Sequence, residues 1–461
     1  MSIIKAYTLP HPPVAIPHIG RGKEKEISDT LAAADEVAKE IEQLAPETII
    51  YVTPHNVLYA DYFHISPGKS AQGDFGRFGA AQIKLETVYD TEFADKLAEL
   101  AEQKEFPAGT LGEKDKKLDH GVMVPMWFIN NRYTDYKTLR ISQSGLNPAE
   151  HYRLGRMISE AAEALGRRTI LIASSDLSHK LTHDGPYGYA REGAEFEKII
   201  ARALTDGDFL PLFEISEELR ERAAECGYNS LMVLAGCMDK RKTDTRLFSH
   251  EGPFGVGYAV ASFSPGEYDA SRDFLAQYEK CALDKVSKIR ADEDIFRSLA
   301  RRSLEHKVMT GNTLTMPDQM TEKPLKHRAG VFVSLHLNGQ LRGCIGTIAP
   351  TTQCIADEII QNAVSAGLRD TRFIPVRESE LPYLTYKVDV LAAPEPITDA
   401  GDLNVKRYGV IVSSGNKRGL LLPNLDGIDT VEEQINIAKS KAGITDNEPI
   451  KLERFEVTRY E

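Results

Sequence analysis

The sequence predicts an α/β N-terminal domain on a largely parallel sheet, followed by an α+β C-terminal domain. Three observations carry this. Over residues 1–265, short apolar runs alternate with amphipathic stretches, the alternation that builds layered folds with parallel strands. Near Pro265 the composition turns charged. Beyond that point the apolar runs are joined by tight-turn signals instead of helices, which is the pattern of antiparallel strands. A chain of 461 residues has room for two or three domains. The expected division is 1–265, a linker at 266–285, and 286–461.

Each element follows in order. "IIKAYTLP" is a strand that runs into His11 and a loop stiffened by proline, "HPPVAIPHIGRG". Ile27, Leu31, Val37, Ile41 and Leu44 recur at helical spacing. "TIIYVT" is a buried strand run with His55 just after it. "EFADKLAELAEQ" is a helix, and His120 sits in "KLDHGVMVPM", a polar turn entering an apolar stretch. "EHYRLGRMISEAAEALGRRTILIASSDLSH" reads as helix, glycine stop, strand and polar tip, ending at His179. "PGEYDASRDFLAQYEKCALDKVSKIRADED" is charged and reads as a linker leading into helix. "IFRSLARRSLEHKVMTG" is an amphipathic helix stopped by Gly311. "AGVFVSLHLNGQLRGCIGT" is a hairpin around Asn338-Gly339, and "LTYKVDVLAAPEPI" and "GVIVSSGNKRGLLLP" supply further strands.

A net charge of −12 argues against nucleic acid or an anionic membrane surface as main partner, since both require a basic face. The five cysteines are odd in number and include no CxxC pair, which points to reduced thiols in a cytoplasmic protein. No apolar stretch reaches the ~18 residues of a membrane span, and proline interrupts the N-terminus before a signal-peptide core.

In parallel sheets, ligands bind at the carboxyl ends of the strands. His11, His55 and His179 each follow a predicted buried strand, which makes a metal site the leading expectation. His120 is a fourth candidate. A fifth lies in "RERAAECGYNSLMVLAGCM", where Glu225 and Cys226 are neighbours. Two imidazoles and a carboxylate suit Fe(II) and O₂ chemistry; imidazoles also suit Zn(II). Read as helix, adjacent residues point about 100° apart, so only one of Glu225 and Cys226 can face a metal. A thiolate there favours zinc or copper(I). His18, His64, His151 and His183 lack strand-end placement and read as surface residues. In "LRGCIGT", Cys344 stands between glycines beside Arg342. That is either an accessible thiol with a lowered pKa or a tight turn around an inert one.

These residues carry a family resemblance. His11 in "HPP", His55 in "TPHN", His120 in "LDHGVMVP", His179 in "SSDLSH" and the closing "EGPFGVGYAVASF" resemble, in order, the class III extradiol ring-cleavage dioxygenases of the LigB type and the related Memo proteins. The resemblance implies that His11, His55 and Glu225 bind Fe(II), that His179 is the acid/base, and that His120 contacts a small aromatic substrate cleaved with O₂. Asp176 is then a candidate to orient His179. "CGYNSL" also resembles the Memo segment in which a cysteine occupies the metal site, so Cys226 is the alternative ligand. Residues 286–461 resemble the AMMECR family through "LRGCIGT", "DTRFIPV", "VDVLAAPEPI", "GLLLPNL" and "VEEQINIAKSKAGI". Memo-like, AMMECR-like and radical-SAM proteins are associated as an AmmeMemoRadiSam system, and the chain resembles a fusion of the first two. The implied function is Fe(II)-dependent extradiol dioxygenation. The alternatives are a metal or redox accessory role beside a radical-SAM protein, and zinc-dependent hydrolysis.

Overall fold

Six strands form the sheet that positions everything else in the N-terminal unit. The computed structural model describes residues 3–114, 117–315, 323–425 and 427–461, and the chain divides into units Met1–Tyr278 and Glu279–Glu461. The strands used below are β1 (Ile3–Leu9), β2 (Thr48–Thr53), β3 (Ser70–Phe75), β4 (Ala80–Val88), β5 (Lys137–Ser142), β6 (Thr169–Ser174), β7 (Arg241–Glu251) and β8 (Tyr258–Tyr268). The main sheet runs β5-β2-β6-β1-β8-β7. Its first four strands are parallel, and β8 and β7 extend the edge antiparallel. The largely parallel sheet read from the sequence is the one observed. Every residue of β2 and β6 is buried, as expected of parallel strands covered on both faces.

Helices α1 (Ser28–Leu44) and α3 (His120–Asn130) pack on one face. Helices α2 (Thr91–Gln103), α4 (Pro148–Leu165), α5 (Arg191–Asp206) and α6 (Tyr228–Cys237) pack on the other. Helices α4 and α6 touch backbone to backbone. A Cβ added to Gly236 would lie 2.0 Å from the Tyr152 carbonyl oxygen, and one on Gly155 would lie 2.1 Å from that of Val233. Neither oxygen can swing away as a side-chain tip can. Gly236→Ala is therefore expected to destabilise the chain by about 2–3 kcal/mol, read as a lowered thermal unfolding midpoint. An unchanged midpoint would show that the helices separate at little cost.

One ion pair gives the unit a pH-dependent term. His250 Nε2 meets Glu197 Oε2 at 2.5 Å, and that hydrogen bond raises the His250 pKa against the opposing effect of burial. A raised folded pKa means that the stabilisation is complete below the unfolded value near 6.5 and is lost as pH rises through the folded value. The melting-temperature gap between wild type and His250→Gln should thus be widest at mildly acidic pH and close on the alkaline side.

Residues 266–285, expected as a linker, are instead the end of β8, a short turn and most of helix α7 (Phe274–Ala291). Charged neighbours mask the two residues that matter, Phe274 and Leu275, which are buried in the N-terminal core.

The C-terminal unit is α+β, as expected. Strands β9 (Val331–Leu337), β10 (Gln340–Gly346), β11 (Leu384–Leu391), β12 (Glu395–Ile397), β13 (Gly409–Ser414), β14 (Lys417–Leu421), β15 (Lys451–Phe455) and β16 (Val457–Tyr460) form two antiparallel sheets, β10-β9-β11-β16 and β12-β15-β13-β14. Asn338 and Gly339 turn the first hairpin at φ of 53° and 83°. Helices α8 (Ile295–Thr310) and α9 (Ile355–Leu368) cover the first sheet, and α10 (Val431–Lys441) the second. Among the described residues, no helix is long and apolar enough to cross a membrane.

Candidate metal centre

Strands β2, β6 and β1 are neighbours and parallel, so their carboxyl ends open on one edge. His11 leaves β1 there, His55 leaves β2, and Ser174 to His179 leave β6. His11 Nε2 lies 2.9 Å from His55 Nε2 and 3.5 Å from Cys226 Sγ. One ligand atom from each of the three residues falls within 4.8 Å of the others. His11 is 1% exposed, whereas His55 reaches solvent.

The hydrogen bonds set the tautomer of His11. Ser174 Oγ donates its one proton to the Gly121 carbonyl at 2.5 Å. It must therefore accept from His11 Nδ1 at 2.8 Å. That leaves His11 Nε2 unprotonated, its lone pair aimed at His55 and Cys226. Burial first, then the facing imidazoles of His55, His120 and His179, hold the His11 pKa well below its usual value. Ser174 did not emerge from the sequence. Its signal was the polar ending of "ILIASS", a serine closing a fully buried strand.

Beside the two histidines the structure brings Cys226, the alternative to Glu225. Glu225, expected to bind the metal, turns away, and its Oε2 accepts the Tyr228 N–H at 2.7 Å at the start of α6. Cys226 takes the place beside the histidines. The helical reading of this segment also fails. A short helix ends at Ala223, Ala224 adopts φ 52°, and Glu225–Gly227 form a turn before α6. Gly227 permits the close approach, since a Cβ there would lie 2.3 Å from Ser175 Cβ and 2.6 Å from the Asp176 carbonyl oxygen. Burial, then the Asp176 and Glu225 carboxylates, push the Cys226 thiol pKa up. A nearby cation is what such a thiol needs to ionise. The unprotonated Nε2 of His11, the neighbouring His55 imidazole and a thiol thus fit a bound transition metal.

Two more histidines border the cluster. His120, the first residue of α3, stacks on His55 with ring centroids 4.0 Å apart, and Phe78 meets it edge-on at 5.4 Å. Its neighbour Asp119 caps the helix and accepts from Thr53 Oγ1 at 2.6 Å. Burial and the Arg77 charge lower the His120 pKa to about 4. His179 Nε2 stands 3.9 Å from Cys226 Sγ, its ring stacks on Tyr187 at 5.2 Å, and burial lowers its pKa. Asp176, expected on His179, instead accepts the His11 backbone N–H at 2.7 Å, with its second oxygen 3.8 Å from His11 Nε2. A cavity of about 970 Å³ opens from His55 and His120 along the β3–β4 hairpin, past Arg77, Phe78 and Lys84. The sequence reading passed over Arg77 and Phe78, whose signal was the turn "GRFG" between two strands.

The remaining histidines divide. His18 and His183 are exposed, as read. His64 and His151 are not surface residues, being 1% and 0% exposed. His151 accepts from the Ser144 N–H at 3.3 Å and packs against Phe63, and His64 bonds the Glu113 carbonyl. In the C-terminal unit, Arg342 does not serve Cys344; its guanidinium grips Glu380 at 2.8 and 3.1 Å.

Residues 5–261 match the model of the LigB family, described as the catalytic LigB subunit of aromatic ring-opening dioxygenase. Residues 297–461 match AMMECR1. Protein CA_C1420 of Clostridium acetobutylicum is 42% identical over 469 aligned positions, spanning 100% of this chain and 99% of its own. A Thermotoga maritima protein is 47% identical over 163 positions, 35% of this chain and 94% of its own. The crystal structure of uncharacterized protein PH0010 from Pyrococcus horikoshii, 32% identical, covers 36% of this chain and 88% of its own with a TM-score of 0.33.

Proposed function

Because this chain belongs to the LigB family and carries an AMMECR1 domain after its LigB domain, we propose that its N-terminal unit is a metal-dependent enzyme acting on a small hydroxylated aromatic substrate, with ring opening by O₂ as the reaction. The observation that carries this is the convergence of His11 and Cys226 on His55, which lines a cavity together with His120 and Phe78. When bound, the metal supplies Lewis acidity to a phenolic hydroxyl beside it. Ser174 keeps His11 in the tautomer that offers Nε2. Phe78 and His120, whose rings meet edge-on, give the cavity an aromatic corner against which an aromatic ring can pack. His120 and His179, both with lowered pKa values, are neutral near pH 7 and able to accept a phenolic proton.

Cys226 favours a second reading. A carboxylate at the third position would suit Fe(II), whereas a thiolate suits zinc or copper(I) better. In that reading the unit is a metal or redox accessory protein, Memo-like, working beside a radical-SAM partner. Anaerobic loading with Fe(II), Zn(II) or Cu(I), followed by O₂ uptake on a catechol panel, separates the two. Uptake with one metal per chain supports the enzyme. Full Fe(II) loading with no uptake on any catechol supports the accessory role.

A further inference from the structure

One buried carboxylate stands outside the metal cluster and yet holds the loop that ends in His179. Glu197, on α5, is 6% exposed. Its Oε1 accepts the Ser178 N–H at 2.7 Å, one residue before His179, and its Oε2 accepts from His250 Nε2 of β7 at 2.5 Å. Two glycines make room for this arrangement. A Cβ on Gly257, just before β8, would lie 2.0 Å from Glu197 Oε1. A Cβ on Gly193, one turn earlier on α5, would lie 2.5 Å from Ser178 Oγ. Gly193 and Glu197 are four residues apart and so present one face of the helix to the loop. Burying a carboxylate is costly, and an apolar side chain could fill the same space. What the carboxylate adds is a strong, directed hold on one backbone N–H.

The other polar groups of the loop are spent as well. The Gly257 N–H donates to the Ser178 carbonyl at 2.8 Å. The Ala223 carbonyl accepts both Ser178 Oγ and the His179 N–H at 3.0 Å. Ala223 ends the short helix before the turn that carries Cys226. The loop is therefore pinned on one side to that turn and on the other to Glu197, and the His179 imidazole, 3.9 Å from Cys226 Sγ, takes its position from both.

We propose that Glu197 is a positioning residue for His179, holding the Ser178 backbone so that the imidazole stands where the substrate proton is transferred. This rests on the proton-transfer role proposed above for His179. His250 bonds the other carboxylate oxygen, and its loss leaves the Ser178 bond in place.

The test uses the full Zn(II)-loaded chain, isotope-labelled at the histidine Cε1 positions, with the His179 resonance identified by its loss in His179→Phe. In Glu197→Leu, which keeps an apolar side chain of similar size in place, that resonance should move and broaden. In Glu197→Gln, whose amide oxygen can accept the same N–H, it should move less. In His250→Gln it should stay where it is, although the unfolding midpoint falls; a merely structural role would tie the resonance to the midpoint. On any catechol that wild type opens, Glu197→Leu should lower kcat about 10–100-fold, the scale of an ångström's misplacement, with KM and metal content kept, and Glu197→Gln should recover most of the loss. Added to His179→Phe, Glu197→Leu should cost nothing further. An unmoved His179 resonance in both Glu197 variants, or a full additional loss in the double variant, overturns the proposal. Absence of ring opening in metal-loaded wild type overturns the ring-opening reading instead, and the resonance then decides the positioning by itself.

Discussion

His11→Ala and His55→Ala should each lose metal affinity by more than the ~10–100-fold that removing a ligand's hydrogen-bond partner costs. Ser174→Ala, which removes such a partner, should fall within that range. His18→Ala should bind as wild type does, because His18 is exposed outside the cluster. The decisive comparison is between neighbours. Cys226→Ser should release the metal, since Cys226 Sγ stands among the donor atoms. Glu225→Gln should keep it, because that carboxylate is spent on the Tyr228 N–H and an amide oxygen can accept the same bond. Metal content by elemental analysis, with circular dichroism to confirm folding, reads all six variants. Retention by Cys226→Ser together with loss by Glu225→Gln would mean that the turn rearranges around the ion.

Turnover should respond to His179 in the opposite manner. His179→Phe is expected to keep its metal and to lose ~10²–10⁴-fold in ring opening, the usual weight of a positioned acid/base group. The imidazole is close to Cys226 without belonging to the cluster of three, and phenylalanine retains the stacking surface for Tyr187. Comparable turnover in His179→Phe and wild type, on any catechol that wild type opens, would remove the proton-transfer role.

What could be read from the sequence depended on the range of the interaction. Strands β1, β2 and β6 were legible because a buried parallel strand writes itself as an unbroken apolar run, and the histidines that follow them inherit a shared edge from topology alone. The hairpin at Asn338-Gly339 was legible because its turn chemistry is local. The choice between Glu225 and Cys226 was not. It depends on Ala224 entering the left-handed region and on Gly227 pressing against Ser175, and neither is periodic. Burial of His64 and His151 was hidden for a related reason. A histidine enters the core when distant partners satisfy it, and Ser144, Phe63 and the Glu113 carbonyl are contacts of the fold. The β3–β4 hairpin, with Arg77 and Phe78 at its turn, escaped because its strands are largely exposed.

The turn at Glu225–Gly227 has an evolutionary consequence. A hard and a soft donor occupy consecutive positions, one capping a helix and the other facing two imidazoles. Which of the two faces the histidines is locked by Gly227, since a side chain at that position would meet Ser175 Cβ at 2.3 Å. A one-residue slip of the turn would therefore disturb the strand end as well as the donors. Related chains should accordingly hold their length and this glycine here, and one that departs from them should be sorted by the metal it retains.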